Sequence, residues 1–430
     1  MLLGTSPALA QTAAPAPAAE APATSAVPPT NVVPPDVAGF YQSYPAMKIW
    51  FRNGPDTAAA NQLIAILKRA PFDGFPQGPT LAEQVQAAAA QAGTTPAAMA
   101  SAEQVLSAAW VRYVQALKRP TTGMIYAYPV LKPQGTRARE ILLAASAAHS
   151  LDQYLSSSSE LNPVYGALRD AAWAEAQADG NMTPDPRLLA NLDRARSIPE
   201  KGRFLLVDSG SQTLTLYDEG KPIDSMKVIV GTDQLPTPLI SSIMYYVTYN
   251  PYWHAPDHLV RKTIAPTVLR QGLSYLKSHG YHVIEEWSET PKVIDPATVD
   301  WKAAAAGTAH LLVQQDPGPL NSMGKLKFPF PNPEDIYLHD TPNKALFAKN
   351  VRFLSNGCVR VEDAQRLGRW LLGEDPEAPT KEPELRVQIP KGIPIVLTYL
   401  TARVEDGKVT YVPDVYGWDK APPAQFAASN

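Results

Sequence analysis

The apolar residues of this chain change their spacing once, near residue 200, and that change divides what can fold on either side of it. Before it they recur three and four apart. Thr57 to Ala70, Thr80 to Ala92, Ala100 to Lys118, Thr136 to Leu155, Pro163 to Ala178 and Pro186 to Ser197 each carry such a stripe, with Pro or Gly between them. After it the pattern alternates or runs on, so Phe204 to Asp208, Thr213 to Tyr217, Ser225 to Val230 and Ile243 to Thr248 read as strands, with Asp218-Glu219-Gly220-Lys221 as a hairpin turn. Ile393 to Val404 and Val409 to Pro413, around Glu405-Asp406-Gly407-Lys408, read as a closing hairpin. The pattern predicts an α+β chain: a helical domain over 37–200, then a mostly β domain over 203–416. Between Pro251 and Pro333 short helical and irregular pieces rich in Pro, Gly and Trp break the strand pattern, and an insertion of that kind predicts a lid over 251–333.

The ends differ from both halves. Ala8-Leu9-Ala10 has the small residues of a secretory-signal cleavage site, but the positive segment that opens such signals is missing. Residues 1–10 therefore read as the remnant of a signal peptide whose start is truncated or misassigned. Residues 11–36 are nearly all Ala, Pro, Thr and Val, too poor in bulky apolar groups to fold, and read as a linker; 417–430 read as a C-terminal tail. A net charge of −3 with no basic run gives no electrostatic case for nucleic acid. No apolar stretch is long enough to span a bilayer.

Cys358 is the only cysteine among 430 residues. In an exported chain, a thiol without an intramolecular disulfide partner reads as one kept for reactivity, although a lone cysteine can equally be a small buried apolar residue. Its neighbours favour reactivity. A thiol needs a base or a positive field nearby, and His339 stands nineteen positions upstream at the end of Asp335 to His339, which alternates as a half-buried strand does. Ser355-Asn356-Gly357 reads as a tight turn, and Glu362-Asp363 as a helix start close behind the cysteine. A turn running into a helix would offer backbone N–H groups to an oxyanion and lower the thiol pKa. No histidine follows His339, which excludes the papain order of cysteine before histidine, while sortases space the two residues much further apart.

His339, fifteen intervening residues, then Ser355-x-Gly357-Cys358-hydrophobic-Arg360 resembles the signature of the YkuD-type L,D-transpeptidases. More narrowly, Val228 to Gly231, Val247 to Trp253, Ser278 to Tyr281 and Tyr337 to Pro342 are similar to the large periplasmic YcbB-like branch, and Leu161 to Tyr165 with Leu168-Arg169 resembles its helical scaffold. The resemblance departs at Asn356, where the family motif usually has histidine, and no peptidoglycan-binding repeat is found. It implies a periplasmic enzyme with Cys358 as nucleophile, His339 as base, Ser355 orienting His339 or capping the following helix, and Gly357 at the oxyanion. Arg360, Tyr337, Asn356 and Trp253 become candidate substrate contacts. It implies diaminopimelate-containing peptidoglycan stems as partners and carbapenems as inhibitors, with no cofactor. The crosslink could be 3→3 or 1→3, and two alternatives stay open: a hydrolase acting on the same stems, or a catalytically silent wall-binding scaffold. His254 and His258 have the spacing of helical zinc ligands, but Pro256 lies between them and no third ligand is evident, so no metal is expected.

Overall fold

The computed structural model describes residues 33–54, 58–288 and 290–420. The signal remnant, most of the linker and the last ten residues of the tail lie outside them. Eight helices come first: α1 Pro35–Ser43, α2 Ala58–Arg69, α3 Gly78–Gln91, α4 Pro96–Leu117, α5 Ala138–Ala147, α6 Leu151–Ser158, α7 Pro163–Asp179 and α8 Pro186–Ala195. Their starts follow from local chemistry. Thr95, Asn162 and Asp185 precede a proline at the first helical position, and each side-chain oxygen accepts a backbone N–H of the opening turn. The helix α1 begins inside the segment read as linker. The stripe from Thr136 to Leu155 is two helices and not one, because Ser150 caps α6 and the Arg52 guanidinium takes the carbonyl of Ala148 at 2.7 Å. Two buried carboxylates of this domain are satisfied by hydrogen bonds. The Glu103 carboxylate accepts the N–H groups of Ile49, Trp50 and Phe51, and Asp73 accepts the phenols of Tyr113 and Tyr165.

The strands are β1 Ile125–Tyr126, β2 Phe204–Asp208, β3 Thr213–Asp218, β4 Lys221–Gly231, β5 Ile240–Tyr249, β6 Trp253–Ala255, β7 Tyr281–Ile284, β8 Val293–Ile294, β9 Leu312–Gln315, β10 Leu326–Pro329, β11 Tyr337–His339, β12 Phe353–Ser355, β13 Val359–Val361, β14 Leu385–Thr398, β15 Ala402–Glu405 and β16 Lys408–Tyr411. The main sheet runs β5-β10-β11-β13-β4-β3-β2-β14, and β14 also pairs with β5, so the sheet closes into a barrel. The predicted turn between β3 and β4 has φ of 47° at Glu219 and 73° at Gly220, the doubly left-handed form that matches strand twist. Leu205, Val207, Val228, Leu338, Val359 and Leu397 fill the barrel. Phe204 and Leu206 point the other way, into the core of the helical domain, which is why β2 reads as an unbroken apolar run.

The insertion differs from the irregular lid expected over 251–333. Strands β6, β9, β7 and β8 form a sheet of their own with short helices and a separate apolar core around Val260, Ile264, Val283 and Val313. It ends before Leu326, because β10 belongs to the barrel. Its two roots meet: Tyr249 pairs with Leu326, and the N–H of Asn250 donates to the carbonyl of Lys325 at 3.1 Å.

At the C-terminus, β14 and the β15–β16 hairpin are separate elements, broken at 399–401, where Thr401 meets Asn191 of α8. The residues read as tail are partly fixed. Trp418 and Asp419 are buried, and the Asp419 carboxylate pairs with Arg194 at 2.5 Å.

Candidate active site

Three neighbouring strands present the site, and the two-residue period decides which side chains reach it. Leu326 and Phe328 of β10, Leu338 of β11, and Val359 and Val361 of β13 all lie in the barrel core. Their alternates, Lys327, Tyr337, His339, Cys358 and Arg360, therefore share the opposite face. Register sets the rows: Lys327 lies opposite His339, and His339 opposite Arg360. The imidazole thus stands between two cationic side chains. One step earlier, Leu338 pairs with Val359, which places Tyr337 beside Cys358. The predicted base is diagonal to the nucleophile, and the tyrosine is adjacent.

His339 is buried, and its Nδ1–H donates to the carbonyl of Asp340 at 2.6 Å, so Nε2 is the basic nitrogen. Burial, then the charge of Arg360, pushes the imidazole pKa down to about 3, with Lys327 acting in the same direction. The Cys358 thiol is half-buried, and its S–H faces the carbonyl of Asp335 at 3.7 Å. Burial raises its pKa, while hydrogen bonds from Tyr337 and the fields of Lys327 and Arg360 act the other way. At neutral pH the resting pair is therefore a thiol and a neutral imidazole.

The turn before the cysteine is held from several sides. Ser355 Oγ donates to the carbonyl of Cys358 at 2.6 Å and accepts the Gly357 N–H at 3.3 Å. Thr237 Oγ1 donates to the carbonyl of Gly357 at 2.7 Å, and the Tyr416 hydroxyl ties down Gly231 beside it. Gly357 has φ of 109°, and a Cβ there would meet Ile336 Cδ1 at 3.2 Å.

These facts revise the residue roles expected above. Ser355 neither orients His339 nor caps a helix; it fixes the turn. The Gly357 N–H is engaged by Ser355, so it is not free for an oxyanion. A strand follows Cys358, and the next helix, Ala364–Leu372, starts six residues on with Asp363 as its cap, so no helix terminus lowers the thiol pKa.

The thiol opens into a cleft of about 950 Å³ between the barrel face and the insertion, lined by Tyr337, Asn356 and Lys327 on one side and by His254, His258 and Trp287 on the other. Trp253 is not a wall of this cleft. It packs against Tyr281 in the insertion's own core, and the next residue, His254, turns to the cleft and lies 4.4 Å from the Trp287 ring. Arg360 makes no ion pair among the described residues, and its buried Nε has no hydrogen-bond partner. The alternative in which it is tied up by a nearby acid thereby falls. Lys327 and Asp335 are functional candidates that sequence reading missed; Lys327 looks like any strand lysine until register sets it beside His339.

Residues 202–389 match the L,D-transpeptidase catalytic domain called YkuD, and residues 35–171 match the Scaffold domain. The chain thus carries a YkuD-type L,D-transpeptidase catalytic domain. A helical Scaffold domain precedes that catalytic barrel in the chain. The chain is 28% identical over 398 residues to a Haemophilus influenzae protein provisionally named an L,D-transpeptidase, which covers 90% of this chain and 78% of that protein. Two solved structures are also similar to it. An L,D-transpeptidase from Mycobacterium smegmatis is 10% identical at a TM-score of 0.23, covering 46% of this chain and 60% of that one. The Ldtfm–avibactam carbamoyl enzyme is 11% identical at a TM-score of 0.23, covering 47% and 50%. No helix among the described residues is long and apolar enough to cross a membrane.

Proposed function

We propose that this protein crosslinks peptidoglycan stems in the periplasm by ping-pong acyl transfer through a Cys358 thioester. One observation carries the reading: the chain's single thiol opens into a large cleft on the same sheet face as a neutral, tautomer-fixed His339, with two cations beside it that form no ion pair among the described residues. The low pKa of His339 and the raised pKa of Cys358 set the order of events. A preformed thiolate–imidazolium pair is disfavoured, so the proton passes from Sγ to Nε2 as sulfur bonds to the stem carbonyl carbon. The C–N bond then breaks, and the same proton leaves with the departing amine, that of the terminal D-residue for a 3→3 product or of the diaminopimelate residue for a 1→3 product. The amine of a second stem attacks the thioester, forms the new amide and returns the thiol. Oxyanion charge is met by the N–H of Cys358 and by the field of Lys327 and Arg360. Arg360 is suited to a substrate carboxylate, because a guanidinium without an acid partner is completed by one.

Incubating the purified protein with sacculi and separating the digested muropeptides tests this. New dimers are expected, absent with Cys358→Ala; a 3→3 product has lost the donor's terminal D-residue, whereas a 1→3 product has lost every donor residue after the first. Trimmed monomers without dimers would make the enzyme a hydrolase. Unchanged stems would sink the proposal.

A further inference from the structure

Lys327 is not used by the chemistry above except through its field, yet of the two cations beside His339 it is the one that lines the cleft. Its Nζ lies 4.4 Å from the Tyr337 ring centroid, and the residue is half-buried in the cleft wall. An ammonium has three donors, and among the described residues neither an ion pair nor a hydrogen bond uses one of them. The ring it covers satisfies charge, not hydrogen bonding. The acids nearest the cleft do not complete it. Glu384 is spent on the N–H of Tyr252 at 2.8 Å, and Glu334 and Asp335 line the cleft without pairing to it. Across His339, Arg360 is likewise unpaired. Adjacent strands stand about 4.8 Å apart, so the two cations flank the imidazole with roughly 10 Å between their backbones. That separation suits two anionic groups on one ligand better than one.

We infer that Lys327 is a specificity-determining residue that binds a carboxylate of the acyl donor, on the side of His339 away from Arg360. The inference rests on the acyl-transfer reading, which supplies the ligand: a donor stem has a free carboxylate on the diaminopimelate side chain and another on the terminal D-residue. Both share the chemistry that Lys327 recognises. The consequence is selection, since a donor amidated at the recognised carboxylate leaves the ammonium without its counter-charge.

Alkylation tests the site without requiring turnover. Cys358 is the only thiol, so the rate of modification by iodoacetate divided by that by iodoacetamide reads how the cleft treats a small carboxylate next to sulfur, and the thiolate fraction cancels from the ratio. The ratio in the native protein is expected to exceed that of N-acetylcysteine in the same buffer by about tenfold, the size of one charge-assisted contact. Lys327→Met and Lys327→Gln should remove most of that excess, and Lys327→Arg should keep it. A native ratio equal to that of N-acetylcysteine, or one unchanged in both neutral variants, would overturn the inference; the first comparison needs no variant to fold. Steady-state kinetics with two donor peptides, one amidated on the side chain and one on the terminal residue, then assigns the carboxylate. In Lys327→Met the KM for the fully anionic donor should rise while that for one of the amidated donors stays fixed. Equal losses on all donors would show a structural role and overturn it. If the native protein turns over no donor, the acyl-transfer reading fails, and the alkylation ratio still decides whether Lys327 binds carboxylate.

Discussion

The phenol of Tyr337 and the thiol of Cys358 are hydrogen-bonding neighbours, while His339 stands one row further along the sheet, opposite Arg360. Burial pushes the Tyr337 phenol far up, so it is a donor at every working pH and can stabilise sulfur as it gains negative charge.

Tyr337→Phe should therefore raise the thiol pKa further and slow acylation. A hydrogen bond to a charged group contributes about 1.5–3 kcal/mol, so alkylation by iodoacetamide at fixed pH near 8 should fall by about tenfold or more. A variant whose pH–rate curve overlays the parent's would remove Tyr337 from the chemistry.

Cys358→Ala should abolish dimer formation and leave the melting temperature nearly unchanged, because a half-buried sulfur in a turn contributes little packing. Carbapenems, expected to acylate the thiol, should add one mass increment to the parent and none to this variant by intact-protein mass spectrometry.

His339→Gln should lower crosslinking by about 10² to 10⁴, the usual worth of general-base help. It also changes the acid limb of stability. The folded-state pKa of about 3 lies below the 6.5 of a free imidazole, so below pH 6.5 the unfolded chain binds the proton first. The stability from neutral His339 is complete above pH 6.5 and is lost as pH falls toward 3, at about 1.4 kcal/mol per unit. Denaturant titrations from pH 7 to 4 should show a steeper loss for the parent than for His339→Gln. Parallel curves would mean that the imidazole is protonated in the fold.

Gly357→Ala should reduce activity sharply while lowering the melting temperature by only several degrees. The left-handed backbone costs of order 1–3 kcal/mol with a side chain, and the added carbon presses on Ile336, so the turn shifts before the barrel does. Full activity in this variant would show that the position of Cys358 tolerates such movement.

Replacing residues 251–324 with an Asn-Gly turn should preserve the barrel, since Asn250 and Lys325 already face each other across adjoining strands. The ratio of hydrolysed stem to crosslinked product should rise, because the insertion forms one wall of the cleft in which the thioester must be kept from water. An unchanged ratio would leave the insertion as an elaboration without a gating role.

The helices and their starts were legible because capping and proline act over three or four residues, as at Asn162-Pro163 and Asp185-Pro186. The Cys358 and His339 motif was legible for the same reason: it is local in spacing and chemically unusual. What escaped depended on register between distant strands. Nothing near Lys327 in the sequence says that it will stand opposite His339, and nothing near Trp253 says that its neighbour takes the cleft side. The helix start read at Glu362-Asp363 is where the helix begins, with Asp363 as its cap; Ser355 does not cap it because β13, inserted between β11 and β4, stands between the turn and the helix.

Strand β14 hydrogen-bonds to β2 along one edge and to β5 along the other. A chain that emerges from its N-terminus therefore carries helices α1 to α8, the insertion, and both Cys358 and His339 while two backbone edges still lack their shared partner. Shape and nucleophile exist before closure does. Residues 385–398 are the keystone in time as well as in space, and a product cut short at 384 would display two adhesive edges instead of a sealed wall.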